Sequence, residues 1–361
     1  MLIKEITITA YLGFGAPLCI IFYQCFVFEK ELFKKCGIKN KPLKHIGCYE
    51  VFNINGTLIA PGVNAVVRIP VGRLPSGNQI TISVNVFRSL KPGPILFLSG
   101  GIHGDEINGI EIIRQALDMK LFDNLHCGSV IAIPLVNVFG FINFSRDLSE
   151  GKDVNRSFPG SLNGSMASRV ARIITRHILP LITLGIDFHT GGQSRFNYPQ
   201  VRFTNRQPSS KLLAQVFNAP FTIVKPTILR SLRRMSLDMG IPIIVYAGGE
   251  ARRIDGFVIQ QALRGIKRVL THLEMNNYTI EEQDSVLLTK TIWVRSNTPG
   301  LFYPSVNNGS QIVKGELLGW IHDPFGQSNY AITSKINGYV FCINNKPVVY
   351  PGDALFNVGM V

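Results

Sequence analysis

Acidic residues are scarce in this chain. Asp and Glu number 23 against 37 Lys and Arg, which leaves a net charge of +14. An excess of that size suits nucleic acid, anionic lipid or an anionic small molecule. The first two fit the body of the chain poorly. Its basic residues are scattered, and it shows neither zinc-finger spacing nor an RNA-recognition motif. A basic solvated face is the plain reading of the surplus. Cysteine is sparse too. Cys19, Cys25, Cys36, Cys48, Cys127 and Cys342 fall at irregular intervals with no Cys-x-x-Cys pair. That argues against a disulfide framework and for reduced thiols in a cytoplasmic setting. Low-complexity segments and tandem repeats are missing. With 46% hydrophobic and 17% charged residues over 361 positions, the chain reads as globular, with room for more than one domain.

Charge is absent altogether from Ile6 to Phe28, a stretch long enough to span a bilayer. Lys30, Lys34, Lys35, Lys39, Lys41 and Lys44 follow it, against Lys4 before. If it spans, the positive-inside rule tethers the body to the cytoplasmic face. No small-x-small cleavage site follows, so it is a poor signal peptide. Gly13, Gly15, Pro17 and Gln24 weaken a membrane helix. A buried or dispensable extension, or a reading frame begun too far upstream, explains residues 1–48 as well. Membrane contact through residues 6–28 is not the favoured reading.

From about Cys48 the pattern is that of an enzyme. Asn64 to Pro70 and Gln79 to Phe87 read as a hairpin about a Pro-Ser-Gly-Asn turn. Pro94 to Leu98, Ser129 to Pro134, Leu184 to Phe188 and Ile241 to Tyr246 read as buried strands. Helical periods cover Ile107 to Met119, Met166 to Leu181, Ser209 to Phe217 and Gly256 to Leu273. Alternating strands and helices predict an α/β fold with a mixed, mostly parallel sheet flanked by helices over residues 49–285. Residues 286–361 are rich in short strands and turn glycines, and read as a C-terminal all-β domain.

Two glycine-bearing segments carry the chemistry. One is Ser99-Gly100-Gly101-Ile102-His103-Gly104-Asp105-Glu106, and the other is Asp187-Phe188-His189-Thr190-Gly191-Gly192. Each follows an apolar run, so His103, Glu106 and His189 fall at the carboxyl ends of strands, where ligands bind in such sheets. Two imidazoles and one carboxylate make a three-ligand zinc site with an open position, the mark of a catalytic metal. The bland alternative is hydrogen-bonded polar groups at strand ends. Asp105 and Asp187 read as partners that orient a ligand histidine. Between the two segments lies Ser145-Arg146-Asp147-Leu148-Ser149-Glu150-Gly151-Lys152-Asp153-Val154-Asn155-Arg156-Ser157-Phe158-Pro159-Gly160. Its arginines and asparagine suit a carboxylate clamp. Arg195, Arg202 and Arg206 follow His189, and one of them is a candidate substrate contact.

These three segments, in this order and spacing, resemble the succinylglutamate desuccinylase and aspartoacylase family of zinc carboxypeptidase-like deacylases. The resemblance runs from about residue 50 to the C-terminus. It implies one zinc ion per chain, held by His103, Glu106 and His189. It implies that Asn155 and Arg156 bind a substrate carboxylate and that Arg146 polarises the scissile carbonyl. The substrate would be a small N-acyl amino acid or similar carboxylate-bearing amide, cleaved by metal-activated water with a glutamate as base. A carboxypeptidase-like peptide hydrolase is the alternative activity.

The chain departs from the family at that base. Similar deacylases carry Glu directly after the strand, in the form Tyr-Glu-x-Gly, where this chain has Tyr246-Ala247-Gly248-Gly249-Glu250. Either Glu250 reaches the metal-bound water through a shifted loop, or the base is lost and the chain is a catalytically impaired, metal- and ligand-binding homologue. Nothing in the sequence gives the oligomeric state.

Overall fold

The computed structural model describes residues 50–74 and 76–361. The apolar stretch from Ile6 to Phe28 lies outside them. Among the described residues no helix is long and apolar enough to cross a membrane.

Strands β1 (Phe52–Ile54) and β2 (Thr57–Ile59) pair as a small hairpin. The predicted longer hairpin follows as β3 (Ala65–Arg73) and β4 (Gln79–Arg88). Then come β5 (Ile95–Ser99), helix α1 (Ile107–Asp118), β6 (Ser129–Ile133), helix α2 (Val138–Ile142) and a 3-10 turn at Val154–Arg156. Helix α3 (Met166–Ile173) runs on through a π turn to Ile178, and β7 (Leu184–Gly191) and β8 (Arg195–Phe203) follow. The α/β part ends with α4 (Pro208–Phe217), β9 (Phe221–Val224), α5 (Leu232–Asp238), β10 (Ile243–Glu250) and α6 (Gly256–His272).

Beyond it every element is a strand: β11 (Val286–Leu288), β12 (Lys290–Arg295), β13 (Gly300–Pro304), β14 (Gln311–Ile312), β15 (Leu317–His322), β16 (Asn329–Thr333), β17 (Gly338–Asn344), β18 (Val348–Val349) and β19 (Ala354–Met360).

The main sheet runs β12-β19-β17-β8-β10-β7-β5-β6-β4-β3. Its centre, β10-β7-β5-β6, is parallel, and antiparallel strands flank it on both sides. The central strands are apolar on both faces because helices cover both. On β5, Leu96 and Leu98 pack into one core with Ile112, Ile113, Phe217 and Ile266, while Ile95 and Phe97 pack into the other with Val170, Ile174 and Ile178. The strands after residue 285 are tied to this sheet by main-chain pairing. Cys342 lies opposite Asn197 where β17 meets β8, and β11 runs parallel to β9. A separate four-stranded sheet, β16-β15-β13-β18, closes a smaller core with β17 and β19.

Candidate metal centre and substrate cavity

Where β5 ends, Gly101 takes φ +58°, a left-handed conformation that glycine adopts without steric cost. The chain then turns through His103 to Glu106, whose N–H donates to the His103 carbonyl at 3.2 Å. Gly104 touches the backbone of α2 so closely that an added Cβ would lie 2.0 Å from the carbonyl carbon of Gly140. That contact seats α2, and the loop after it delivers Arg146 over the turn.

His189 arrives from β7, which runs beside β5 in parallel register, with Ser99 opposite Asp187. The predicted ligand atoms of His103, Glu106 and His189 all lie within 4.8 Å of one another, and all three residues are buried. His103 Nδ1 is 2.7 Å from Glu106 Oε1, and His189 Nδ1 is 2.8 Å from Glu106 Oε2. Both Nε2 atoms face away, to Asp153 Oδ1 at 3.2 Å and Asp187 Oδ2 at 2.7 Å. Asp187 is fixed in turn by the Ser99 hydroxyl at 2.7 Å. A carboxylate on the far nitrogen is how metal-ligating histidines are usually oriented. The donor set therefore fits a divalent ion: two Nδ1 atoms and one carboxylate converge, each histidine braced from behind. Asp105 does not brace a histidine; its side chain faces Arg252 Nε at 4.0 Å.

The electrostatics agree. Burial alone would raise the Glu106 carboxyl, but His103 and His189 hold it well below its ordinary value. Burial opposes charge on His189 as well, yet Asp187 and Glu106 raise it to about 10. His103 is raised against burial by Glu106 and by its bond to Asp153.

Arg146 donates through Nη1 to Glu106 Oε1 at 3.2 Å and through Nη2 to Asp153 Oδ2 at 2.9 Å. Asn155 and Arg156 line the same cavity, of about 560 Å³. The Asn155 side-chain oxygen accepts from the Leu232 N–H at the start of α5, and the exposed Arg156 donates through Nη1 to the Asn155 carbonyl at 2.7 Å and lies 3.9 Å from Asp153 Oδ2. Arg195 and Arg202 also line the cavity, whereas Arg206 is exposed elsewhere.

Glu250 is the expected site residue that the structure does not bring to the others. It ends β10 opposite Gly191, is 8% exposed, is not among the lining residues, and its Oε2 accepts from Asn345 Nδ2 at 2.7 Å. Ala247 is fully buried two residues after the lining residue Val245, so it shares that strand face. Opposite it on β8 is Gln200, whose Nε2 is buried without a partner.

Asp153 has no role legible in the sequence, and neither have Lys225 and Arg233, both of which line the cavity. Asp153 carried a signal, standing beside the Asn-Arg pair. Lys225 and Arg233 carried none, because β9 and α5 were not foreseen.

A model of the succinylglutamate desuccinylase/aspartoacylase catalytic domain matches residues 92–273, half of the chain. This protein belongs to that family. Among characterised relatives, the N-alpha-acetyl-L-2,4-diaminobutyric acid deacetylase of Halomonas elongata is 26% identical over 246 residues, covering 64% of this chain and 71% of the relative. Among solved structures, a succinylglutamate desuccinylase/aspartoacylase from Rhodobacter sphaeroides superposes with a TM-score of 0.73 at 25% identity, over 82% of this chain and 95% of that one. The product-bound ectoine utilization protein EutE (DoeB) from Ruegeria pomeroyi shares the fold, with a TM-score of 0.73 at 22% identity over 83% and 95% of the two chains.

Proposed function

We propose that the protein is a metal-dependent deacylase that cleaves the amide bond of an N-acyl amino acid or a similar small carboxylate-bearing substrate. One observation carries the reading: the His103, Glu106 and His189 donor atoms converge within 4.8 Å at a cavity that also holds Arg146, Asn155 and Arg156. The named activities of the relatives support it.

His103, Glu106 and His189 would hold the ion, with zinc the natural fit to two nitrogens and one oxygen. Bound there, it supplies Lewis acidity toward a carbonyl oxygen and toward a water. Arg156 and the Asn155 amide grip the substrate carboxylate, a charge-assisted contact that fixes the amide in the cavity. Arg146, already donating to Glu106, is in reach of negative charge that develops on the carbonyl oxygen. Asp153 and Asp187 keep the two imidazoles turned.

The proton acceptor divides two readings. Glu250 serves only if it leaves Asn345, and that bond favours the second reading, a homologue slowed by the loss of the carboxylate at Ala247. A carboxypeptidase-like peptide hydrolase is a separate alternative, since the clamp suits any terminal carboxylate.

The test is hydrolysis by the full chain of a panel of N-acyl amino acids and dipeptides. The proposal expects turnover of N-acyl amino acids, removed by chelation, restored by zinc, and weakened in KM by Arg156→Gln. Turnover that survives chelation would refute it.

A further inference from the structure

One end of the cavity is built by the C-terminal strands, and the proposed reaction gives it no role. Asn197, Cys342, Asn357 and Trp293 stand opposite one another in sequence across β8, β17, β19 and β12. Residues directly opposite in a ladder share a face. All four line the cavity, so the row forms its end wall. The register slips on β17 between Val340 and Cys342, and this bulge brings Phe341 to the cavity side together with Cys342.

The asparagines stand out in this wall. Asn357 lies between Phe356 and Val358, which pack into the C-terminal core, yet it faces the cavity and is only 6% exposed. Its Oδ1 is buried and accepts no hydrogen bond. Asn197 is buried as well, and among the described residues its side chain has no hydrogen-bond partner. A buried acceptor without a donor is costly, and such groups are kept where something outside the fold completes them. Cys342, between the two, is small and uncharged: burial pushes its thiol up to about 12, against the pull of Arg202 and Arg195. The charges felt there are thus both positive. Arg195 also lies over the Trp293 ring, 5.6 Å from its centroid.

We infer that this row is a specificity subsite for a neutral carboxamide of the substrate, held between the amides of Asn197 and Asn357 over the small Cys342 side chain. The inference rests on the deacylase reading and narrows it. The two asparagines are two strand spacings apart, roughly 10 Å, with only a thiol between them. A carboxamide offers N–H groups to Asn357 Oδ1 and a carbonyl to the Asn197 amide nitrogen. A carboxylate has no hydrogen to give and leaves Oδ1 unpaired. An ammonium can donate, but it meets Arg195 and Arg202. An alkyl group satisfies neither asparagine. The substrate is therefore an N-acyl amino acid with one carboxylate for Asn155 and Arg156 and a carboxamide, on its amino or its acyl half, for this wall.

Binding of the product halves reads the subsite without turnover. Calorimetry on the full chain supplied with zinc compares L-glutamine with L-glutamate, L-norvaline and L-2,4-diaminobutyrate, and succinamate with succinate and butyrate. In one of the two series the carboxamide is expected to bind about 10-fold tighter than each of its analogues. Asn357→Leu and Asn197→Leu are each expected to erase that preference. Neither should lower the melting temperature of the free protein, because the amide removed has no partner there. Arg156→Gln is expected to weaken all members of the series alike.

Carboxamides binding no better than their analogues in both series, or a preference that survives both leucine variants, would overturn the subsite. Marked loss of melting temperature in both variants would overturn it too, by making the asparagines supports of the fold. Turnover of N-acyl amino acids with no carboxamide preference would remove the subsite and leave the deacylase. Carboxamide-selective binding without turnover of any substrate would do the reverse.

Discussion

One carboxylate group braces two functional side chains: Asp153 Oδ1 lies 3.2 Å from His103 Nε2, and Asp153 Oδ2 accepts from Arg146 Nη2 at 2.9 Å. Burial works against its charge, but His103 and Arg146 hold its carboxyl well below the usual carboxylate range. Asp153→Asn keeps the shape and removes the charge. Zinc affinity is expected to fall about 10- to 100-fold, measured by chelator competition, and kcat at saturating zinc is expected to fall as well. Asp187→Asn touches His189 but not Arg146, so its kcat at saturating zinc should fall less. Identical kcat losses in the two variants would mean that Asp153 does not position Arg146.

Ala247 and Gln200 give the second prediction. Ala247 is on the cavity-side face of β10, opposite the unpaired Gln200 amide nitrogen. A carboxylate placed there gains a hydrogen-bond donor and stands next to His189 in register. Ala247→Glu is expected to raise turnover by roughly 10²–10⁴, the usual worth of a positioned base. Glu250→Gln is expected to leave it nearly unchanged. Loss of turnover in Glu250→Gln with metal retained would reverse the assignment and make Glu250 the base.

Protons and metal compete for the same two imidazoles. His189 in the metal-free protein is raised to about 10, and His103 is raised too. Both groups are raised above their unfolded values. Their ion pairs therefore stabilise the metal-free fold fully below the ordinary histidine pKa of about 6.5, and lose that contribution as pH rises through about 10 for His189. Metal affinity runs the other way, because binding must expel those protons. Zinc affinity should climb steadily between pH 6 and 9, while the melting temperature of the metal-free protein falls over the same range. A pH-independent zinc affinity would contradict the pairing.

The C-terminal strands give a stability prediction. β17 covers the edge of β8, and Trp293, Phe341, Cys342 and Asn357 line the cavity. Deleting residues 286–361 would bare the Arg195–Asn197 end of β8 and the β11 side of β9, and open a cavity wall. The truncated chain is expected to lose cooperative unfolding and to aggregate. A soluble truncate with a sharp melting transition would show that the α/β part stands alone.

Much of this architecture is legible in the residues. The apolar strands at Ile95–Ser99 and Leu184–Gly191 announce themselves because helices cover both faces, and each leads into or contains a glycine-flanked histidine. The convergence of His103, Glu106 and His189 follows from two parallel strands lying side by side. What stayed hidden was β8, where Arg195, Pro199 and Arg202 blur the alternation of a strand that faces a charged cavity. Also hidden was α5, seven residues long and set by the Ser231 cap rather than by a long apolar stripe. Lys225 and Arg233 went unseen, whereas Arg202 stood out as a candidate substrate contact by following His189. The turn of Glu250 toward Asn345 depends on a partner 95 residues away, beyond the reach of any local pattern.

The proposed activity depends on His103, Glu106 and His189 holding one metal ion. The most direct measurement is the metal content of the purified full chain by elemental analysis, beside His103→Ala and His189→Ala variants whose folding is checked by circular dichroism. About one zinc per chain is expected in the parent and near none in either variant, with folding retained. A folded parent that binds no stoichiometric divalent metal even after zinc is supplied, or variants that keep it, would mean that these three residues do not form a metal site.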